Sequence, residues 1–155
     1  MTADELIEAL GLTPHPEGGW YRETWRAQAA DGERAAASAV LYVIQPGQRS
    51  HWNRVNADEI WLWHAGDAVE LKVAASAAGP VRAVRLGGRV TEGEQVQVIV
   101  SAGQWQSAEP AGRRERGLHA DFLHCRAGVR IQWFRAGDAG LGTEHLGRQC
   151  SQCSH

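Results

Sequence analysis

The run Gly47-Gln48-Arg49-Ser50-His51-Trp52-Asn53-Arg54-Val55-Asn56-Ala57-Asp58-Glu59-Ile60-Trp61-Leu62-Trp63-His64-Ala65-Gly66 decides the reading of this chain. Successive side chains of a strand point to opposite faces. With that period Glu59, Trp61 and Trp63 share one face, and Asp58, Ile60, Leu62 and His64 share the other. The same alternation puts His51 and Asn53 on one face of the segment before. If the two segments pair, an imidazole, an amide and a carboxylate converge on a surface walled by indole rings. An apolar wall with a few convergent polar groups is the usual form of a small-molecule pocket.

Working outward, residues 2–10 read as a short helix. Thr2 and Glu5 fit a capping box, Leu6, Ile7 and Leu10 give an apolar stripe, and Gly11 follows as the stop. Beyond it the helical period disappears. Strands are expected at 19–26, 37–45, 58–64, 68–74, 81–86, 95–101, 119–126 and 129–135, separated by Gly, Pro, Asp and Asn breaks. Short strands at this spacing predict an all-β sandwich or barrel, with no βαβ pattern. Ser38 to Ile44 is apolar on both faces, so something must cover its outer side, a second sheet or another subunit; a homodimer is the expected state. A single domain is expected over 1–138, with a flexible Gly-rich and polar tail at 139–155.

At 155 residues the chain can bury a sizeable core without disulfides. Its formal net charge of -2 gives no electrostatic pull toward nucleic acid or membrane. The cations are almost all arginine, scattered except for Arg113, Arg114 and Arg116, a group that reads as a solvated loop. The acidic start and the lack of a long apolar run argue against a secretory or membrane-spanning segment. Three cysteines, an odd number, fit a reduced cytoplasmic protein.

The decisive stretch also resembles a known superfamily. His51-x-Asn53, Glu59 and Gly66 are spaced like the first cupin motif, and Ser101-x-Gly103-x-x-Gln106 like the second. Three segments carry a closer resemblance, across residues 5 to 138: His15-Pro16-Glu17-Gly18-Gly19-Trp20-Tyr21-Arg22-Glu23-Thr24, Asp58-Glu59-Ile60-Trp61 and Gly103-Gln104-Trp105-Gln106. Together they are similar to a group of small cupins known as a domain of unknown function. The resemblance implies a double-stranded β-helix, the jelly-roll barrel, usually dimeric and with a pocket inside. It implies no reaction, since fold does not fix function.

Metal-binding cupins hold an ion with two His and a Glu from the first motif and a His from the second. Here Asn53 and Gln106 stand at two of those places. A neutral amide is a weak ligand for a transition metal, so a divalent metal on His51 and Glu59 is one reading and a metal-free pocket the other. In a dry pocket Glu59 is a candidate general acid or base with His51 as its partner, while Asn53 and Gln106 orient the ligand. The plainer reading has Glu59 in a structural ion pair with an arginine. Trp61, Trp63 and Trp105, three of seven tryptophans, are candidates either for packing or for stacking on a sugar or nucleobase. Tyr21 and Glu23 share a face and read either as ligand contacts or as part of an outer strand. His119, His124 and Cys125 read as core or hydrogen-bonded residues, five positions of separation placing the histidines on opposite faces. The tail pair Cys150 and Cys153, with His145 and His155, could chemically take zinc, but its composition reads as disordered.

The expectation is therefore a cytoplasmic cupin that binds a small polar metabolite, with a metal-independent epimerase or isomerase acting on a sugar or sugar nucleotide as the leading activity. A metal-dependent oxygenase or isomerase and a non-catalytic sensing module are the alternatives.

Overall fold

In the computed structural model the described residues are 2–111, 127–133 and 144–145. The chain opens with helix α1 (Ala3–Leu10), capped as the sequence predicts. The Thr2 hydroxyl accepts from the Glu5 N–H, the Glu5 carboxylate accepts from the Thr2 N–H, and Gly11 ends the helix in the left-handed region at φ 59. Strands follow: β1 (Thr13–Pro14), β2 (Trp20–Arg26), β3 (Ala37–Val43), β4 (Ser50–Arg54), β5 (Asp58–Ala65), β6 (Val69–Ala74) and β7 (Val81–Leu86). After a 3-10 turn at Val90–Glu92 come β8 (Gln97–Val100), β9 (Trp105–Pro110), β10 (Ala127–Trp133) and β11 (Glu144–His145). They build a six-stranded sheet ordered β1-β2-β3-β10-β5-β8 and a five-stranded sheet ordered β11-β4-β9-β6-β7. Every paired strand is antiparallel, and the expected all-β jelly roll with one short N-terminal helix is the observed fold.

Alternation closes the two sheets face to face. Tyr42 and Ile44, Trp61, Val98 and Val100 from the first sheet meet Leu71, Val73, Val84, Leu86 and Ala108 from the second. Leu71 is wholly buried. On the outer face of the six-stranded sheet Trp25 and Ile99 stay more than half exposed, and Leu41, Ile60 and Leu62 are half-buried.

Besides the two-residue β1 and β11, strands β4 and β9 escape the sequence reading. Ser-His-Trp-Asn-Arg and Trp-Gln-Ser-Ala-Glu-Pro lack an apolar alternation, because their inward positions are Ser50, Asn53, Gln106 and Ala108. The expected pairing of the His51 segment with the Glu59 segment does not occur. β4 pairs with β9 and β11, while β5 pairs with β10 and β8. The expected strand at 119–126 and the Arg113–Arg116 group lie outside the described residues. So does the tail, apart from Glu144–His145, which pair with Arg54 and Asn53. Among the described residues no helix is long and apolar enough to cross a membrane.

The connection from β7 to β8 is held by Glu94, itself 4% exposed. Its carboxylate accepts from the Arg89 backbone N–H at 3.0 Å and from the Arg89 guanidinium at 2.7 Å, with Arg85 at 3.8 Å. Burial pushes the Glu94 carboxyl up, but its bonds to Arg89 and the field of Arg85 outweigh that and hold it below the usual carboxylate range. A lowered folded value means that the stability it contributes is complete above the ordinary carboxylate range and is lost as pH falls through its own pKa. Urea midpoints measured from about pH 7 to about pH 3 should therefore fall less steeply in Glu94→Gln than in the parent. An unchanged acid limb would remove Glu94 from this role.

Candidate functional site

The centre of the barrel holds a polar cluster that joins the two sheets. Glu59, on β5, is 0% exposed, and Asn53 and Gln106 are each 1% exposed. Register places Asn53 of β4 directly opposite Gln106 of β9, and Gln106 reaches across the interior to Glu59 of β5. Gln106 donates from its Nε2 to the Glu59 carboxylate and, at 3.3 Å, to the Asn53 Oδ1. Its Oε1 accepts from the Trp61 indole N–H at 2.9 Å. Asn53 donates in turn to the His51 carbonyl at 2.8 Å and the Ser50 hydroxyl at 3.4 Å.

Trp61 fixes the direction of this chain. An indole N–H only donates, so the Gln106 oxygen must face Trp61 and its NH2 must face Glu59; the flipped amide would set donor on donor and acceptor on acceptor. Both amides are thus committed to protein partners. Gln106 is engaged by Glu59, Asn53 and Trp61, and Asn53 by Gln106, His51 and Ser50.

The same chemistry tests the metal reading. A cation needs converging lone pairs. What Gln106 presents to Glu59 is its NH2 group, and the Gln106 oxygen is engaged by Trp61. His51 is exposed, because a register irregularity between Ser50 and Asn53 makes those two the inward residues of β4. The expected shared face of His51 and Asn53 is broken by that bulge. Among the described residues no group of three or more His, Cys, Asp or Glu could hold a metal ion. The donor set that the described residues place around Glu59 does not fit one.

The remaining candidates separate. Trp61 is buried in the core, and Trp63 is half-buried on the same inward face, as alternation predicts. Trp105 alternates with Gln106 and so lies on the outer face, beneath the Arg54 guanidinium at 5.2 Å; it is not a wall of the interior. Tyr21 packs inward against the core. Glu23 is exposed and ion-paired to Arg26 at 2.5 Å, a placement at the surface rather than in the cluster. His119, His124, Cys125, Cys150, Cys153 and His155 lie outside the described residues.

The sequence reading missed Tyr42, Ser50 and the partnership of His15 with the aromatics. His15 meets Tyr21 and Tyr42 edge-on at 4.6 and 5.5 Å, and Tyr42 meets Trp61 at 5.9 Å. The loop carrying His15 is tied down by the His51 N–H donating to the Glu17 carbonyl at 2.7 Å and by the Tyr42 hydroxyl donating to Gly18. Gly18 and Gly19, at φ 97 and 77, make that close approach possible, since a Cβ on either would overlap backbone of β3 or the Arg49 carbonyl. The Gly18-Gly19 pair was the available signal.

Two antiparallel sheets closed around this buried cluster define a cupin barrel. A family model described as Cupin superfamily (DUF985) matches residues 4–125, and the chain belongs to that family. A hypothetical protein from Leishmania major is similar in structure at TM-score 0.73 and 29% identity, the match covering 86% of this chain and 81% of that one. A Shewanella oneidensis protein gives 0.75 at 26% identity, over 94% and 85%. Bacillus subtilis oxalate decarboxylase shares the fold at 0.56 and 12% identity, over 86% of this chain and 29% of that one. No curated protein matches.

Gln106→Glu tests the cluster. It sets a second carboxyl against Glu59, and the two cannot both stay ionised, so the folded variant holds a proton that the unfolded chain releases. Its stability should drop by about 1–3 kcal/mol at neutral pH and recover as pH falls into the carboxylate range. An equal loss at both pH values in urea unfolding would contradict the arrangement.

Proposed function

We propose that this cupin binds a small polar metabolite in its barrel and acts on it by metal-independent proton transfer, as an epimerase or isomerase of a sugar or sugar nucleotide. The observation that supports the reading is a fully buried carboxylate whose orientation is fixed by an amide that is itself fixed by an indole. A carboxylate held in that way can take a proton from carbon beside a carbonyl, leaving the electron pair on the enolate, and a proton returned to that carbon completes the step. His51, on the solvent side of β4, is the candidate for exchanging that proton with water.

Part of the same reading is a homodimer formed through the outer face of the six-stranded sheet, where β3 is apolar on both sides and Trp25 and Ile99 are exposed. The protein should sediment as a dimer, and Ile99→Lys should shift it toward monomer without unfolding it; a parent that sediments as a monomer rejects this part.

The test of the chemistry is washout into deuterated water. Incubated with a panel of hexose and nucleotide-sugar substrates, the protein should place deuterium on a carbon next to a carbonyl. Glu59→Gln should slow that exchange by a factor of about 100 or more, with its fold checked by circular dichroism. Exchange that survives the substitution would remove Glu59 from the mechanism.

A further inference from the structure

The turn from β3 into β4 and the end of β9 enclose an open cleft of about 320 Å³, lined by Pro46, Gly47, Gln48, Arg49, Glu109 and Pro110. That volume lies at the lower end of the range for small-ligand sites. Ser50 stands opposite Ala108, so Arg49 and Glu109 come together one step further along the two strands. Ala108 packs into the core. Alternation therefore puts Glu109 and the cleft on the outside of the five-stranded sheet, away from Glu59.

Backbone contacts fix the frame of this cleft. The turn closes with the Gln48 N–H donating to the Gln45 carbonyl at 3.0 Å. The Ser107 hydroxyl donates to the Ser50 carbonyl at 2.8 Å, and the His51 N–H donates to the Glu17 carbonyl at 2.7 Å. The Arg49 carbonyl lies so close to Gly18 that a Cβ there would overlap it. The Arg49 side chain, in contrast, is 61% exposed.

The polar groups of the cleft are unequally engaged. Glu109 stands opposite Glu70, and Lys72 relieves these like charges by binding both, Glu109 through its Oε1 and Glu70 at 3.2 Å. Chiefly through its bond from Lys72, the Glu109 carboxyl is held below the usual carboxylate range, so it meets the cleft as an acceptor. Its Oε2 faces the Arg49 guanidinium at 3.9 Å, beyond the reach of a direct hydrogen bond. Gln48 commits its Oε1 to the Gln45 N–H at 3.3 Å, which leaves its NH2 group as a donor. Donors from Gln48 and Arg49 thus stand beside an acceptor from Glu109. The cations Arg49 and Lys72 balance the carboxylates Glu70 and Glu109.

We infer that this cleft is a subsite for a neutral polyhydroxyl ligand of the sugar class, with one hydroxyl bridging Arg49 and Glu109 and the ring lying on Pro46 and Pro110. A hydroxyl accepts from the guanidinium and donates to the carboxylate with the same oxygen. A gap of 3.9 Å is spanned by such an intervening oxygen, not by a direct bond. Charge balance disfavours an anion, because a phosphate or carboxylate drawn to Arg49 would meet Glu109 beside it. Water matches the same polar pair, and the proline rings, which carry no backbone N–H, are the surface that a sugar ring adds to the contact. The inference makes no use of proton transfer at Glu59.

The probe is methyl α-D-glucopyranoside, titrated into the full chain while the Arg49 Nε–H resonance, identified by its absence in Arg49→Gln, is followed by NMR. The glucoside should move that resonance saturably within about 100 mM, a range that captures a Kd of up to about 10 mM. Its affinity should be the same at low and high salt, as for a neutral ligand. Followed through the Gln48 backbone N–H, Arg49→Gln should weaken binding about tenfold, the loss of one hydrogen bond to a charged group. That variant removes a mostly exposed side chain and leaves Lys72 on Glu109, and circular dichroism checks its fold. An unmoved Arg49 resonance, an unchanged affinity in Arg49→Gln, or tighter saturable binding of inorganic phosphate at the same resonance would overturn the inference. Because this titration reads the outer cleft and deuterium washout reads the barrel interior, failure of either leaves the other standing.

Discussion

The hydrogen bond from the Trp61 indole to Gln106 is the constraint on which the interior depends. It is a bond with one possible direction, and it transmits that direction through the amide to Glu59. A carboxylate removed from water costs several kcal/mol unless hydrogen-bonded groups replace its hydration. Here Gln106 is one such group, and it comes from the opposite sheet. The cluster therefore does two jobs with one set of atoms. It gives the buried Glu59 carboxyl a hydrogen-bond partner and it links the two sheets, because Glu59 belongs to one while Asn53 and Gln106 belong to the other.

Much of the fold was legible because it is written in alternation. Glu59, Trp61 and Trp63 face inward as the period of two requires, and the helix carries its capping box and its left-handed glycine stop. The strands that failed to show are those whose inward residues are polar. A pattern search that equates inward with apolar cannot see Ser50, Asn53 and Gln106, since the cluster they build replaces the apolar signal that would have marked them. β4 hides a second time through its bulge, where one extra residue moves His51 to the surface and spoils the face it was expected to share with Asn53.

The chemistry of the site was legible only as a set of residues. Motif spacing placed Asn53, Glu59 and Gln106 near one another, and they do meet. It could not say which end of an amide faces the carboxylate, and that orientation separates a cation site from a clamp. Trp105 shows the same limit from the other side: next to Gln106 in sequence, it lies on the far face of the sheet beneath Arg54, because one residue along a strand is half a turn of its pleat.

Where metal-binding cupins carry histidine, this chain carries two amides, and the geometry shows what such a replacement does. An imidazole offers one lone pair in a fixed direction; an amide offers an oxygen and two N–H donors that can be turned around. With Trp61 in place the amide of Gln106 is turned so that its donors face the carboxylate. Among the described residues the site sets an N–H group, not a lone pair, against Glu59. Restoring histidine at position 106 alone would not recover a cation site, because the Trp61 N–H would still need an acceptor at that depth, and an imidazole accepting from it would turn its other nitrogen, as a donor, toward Glu59.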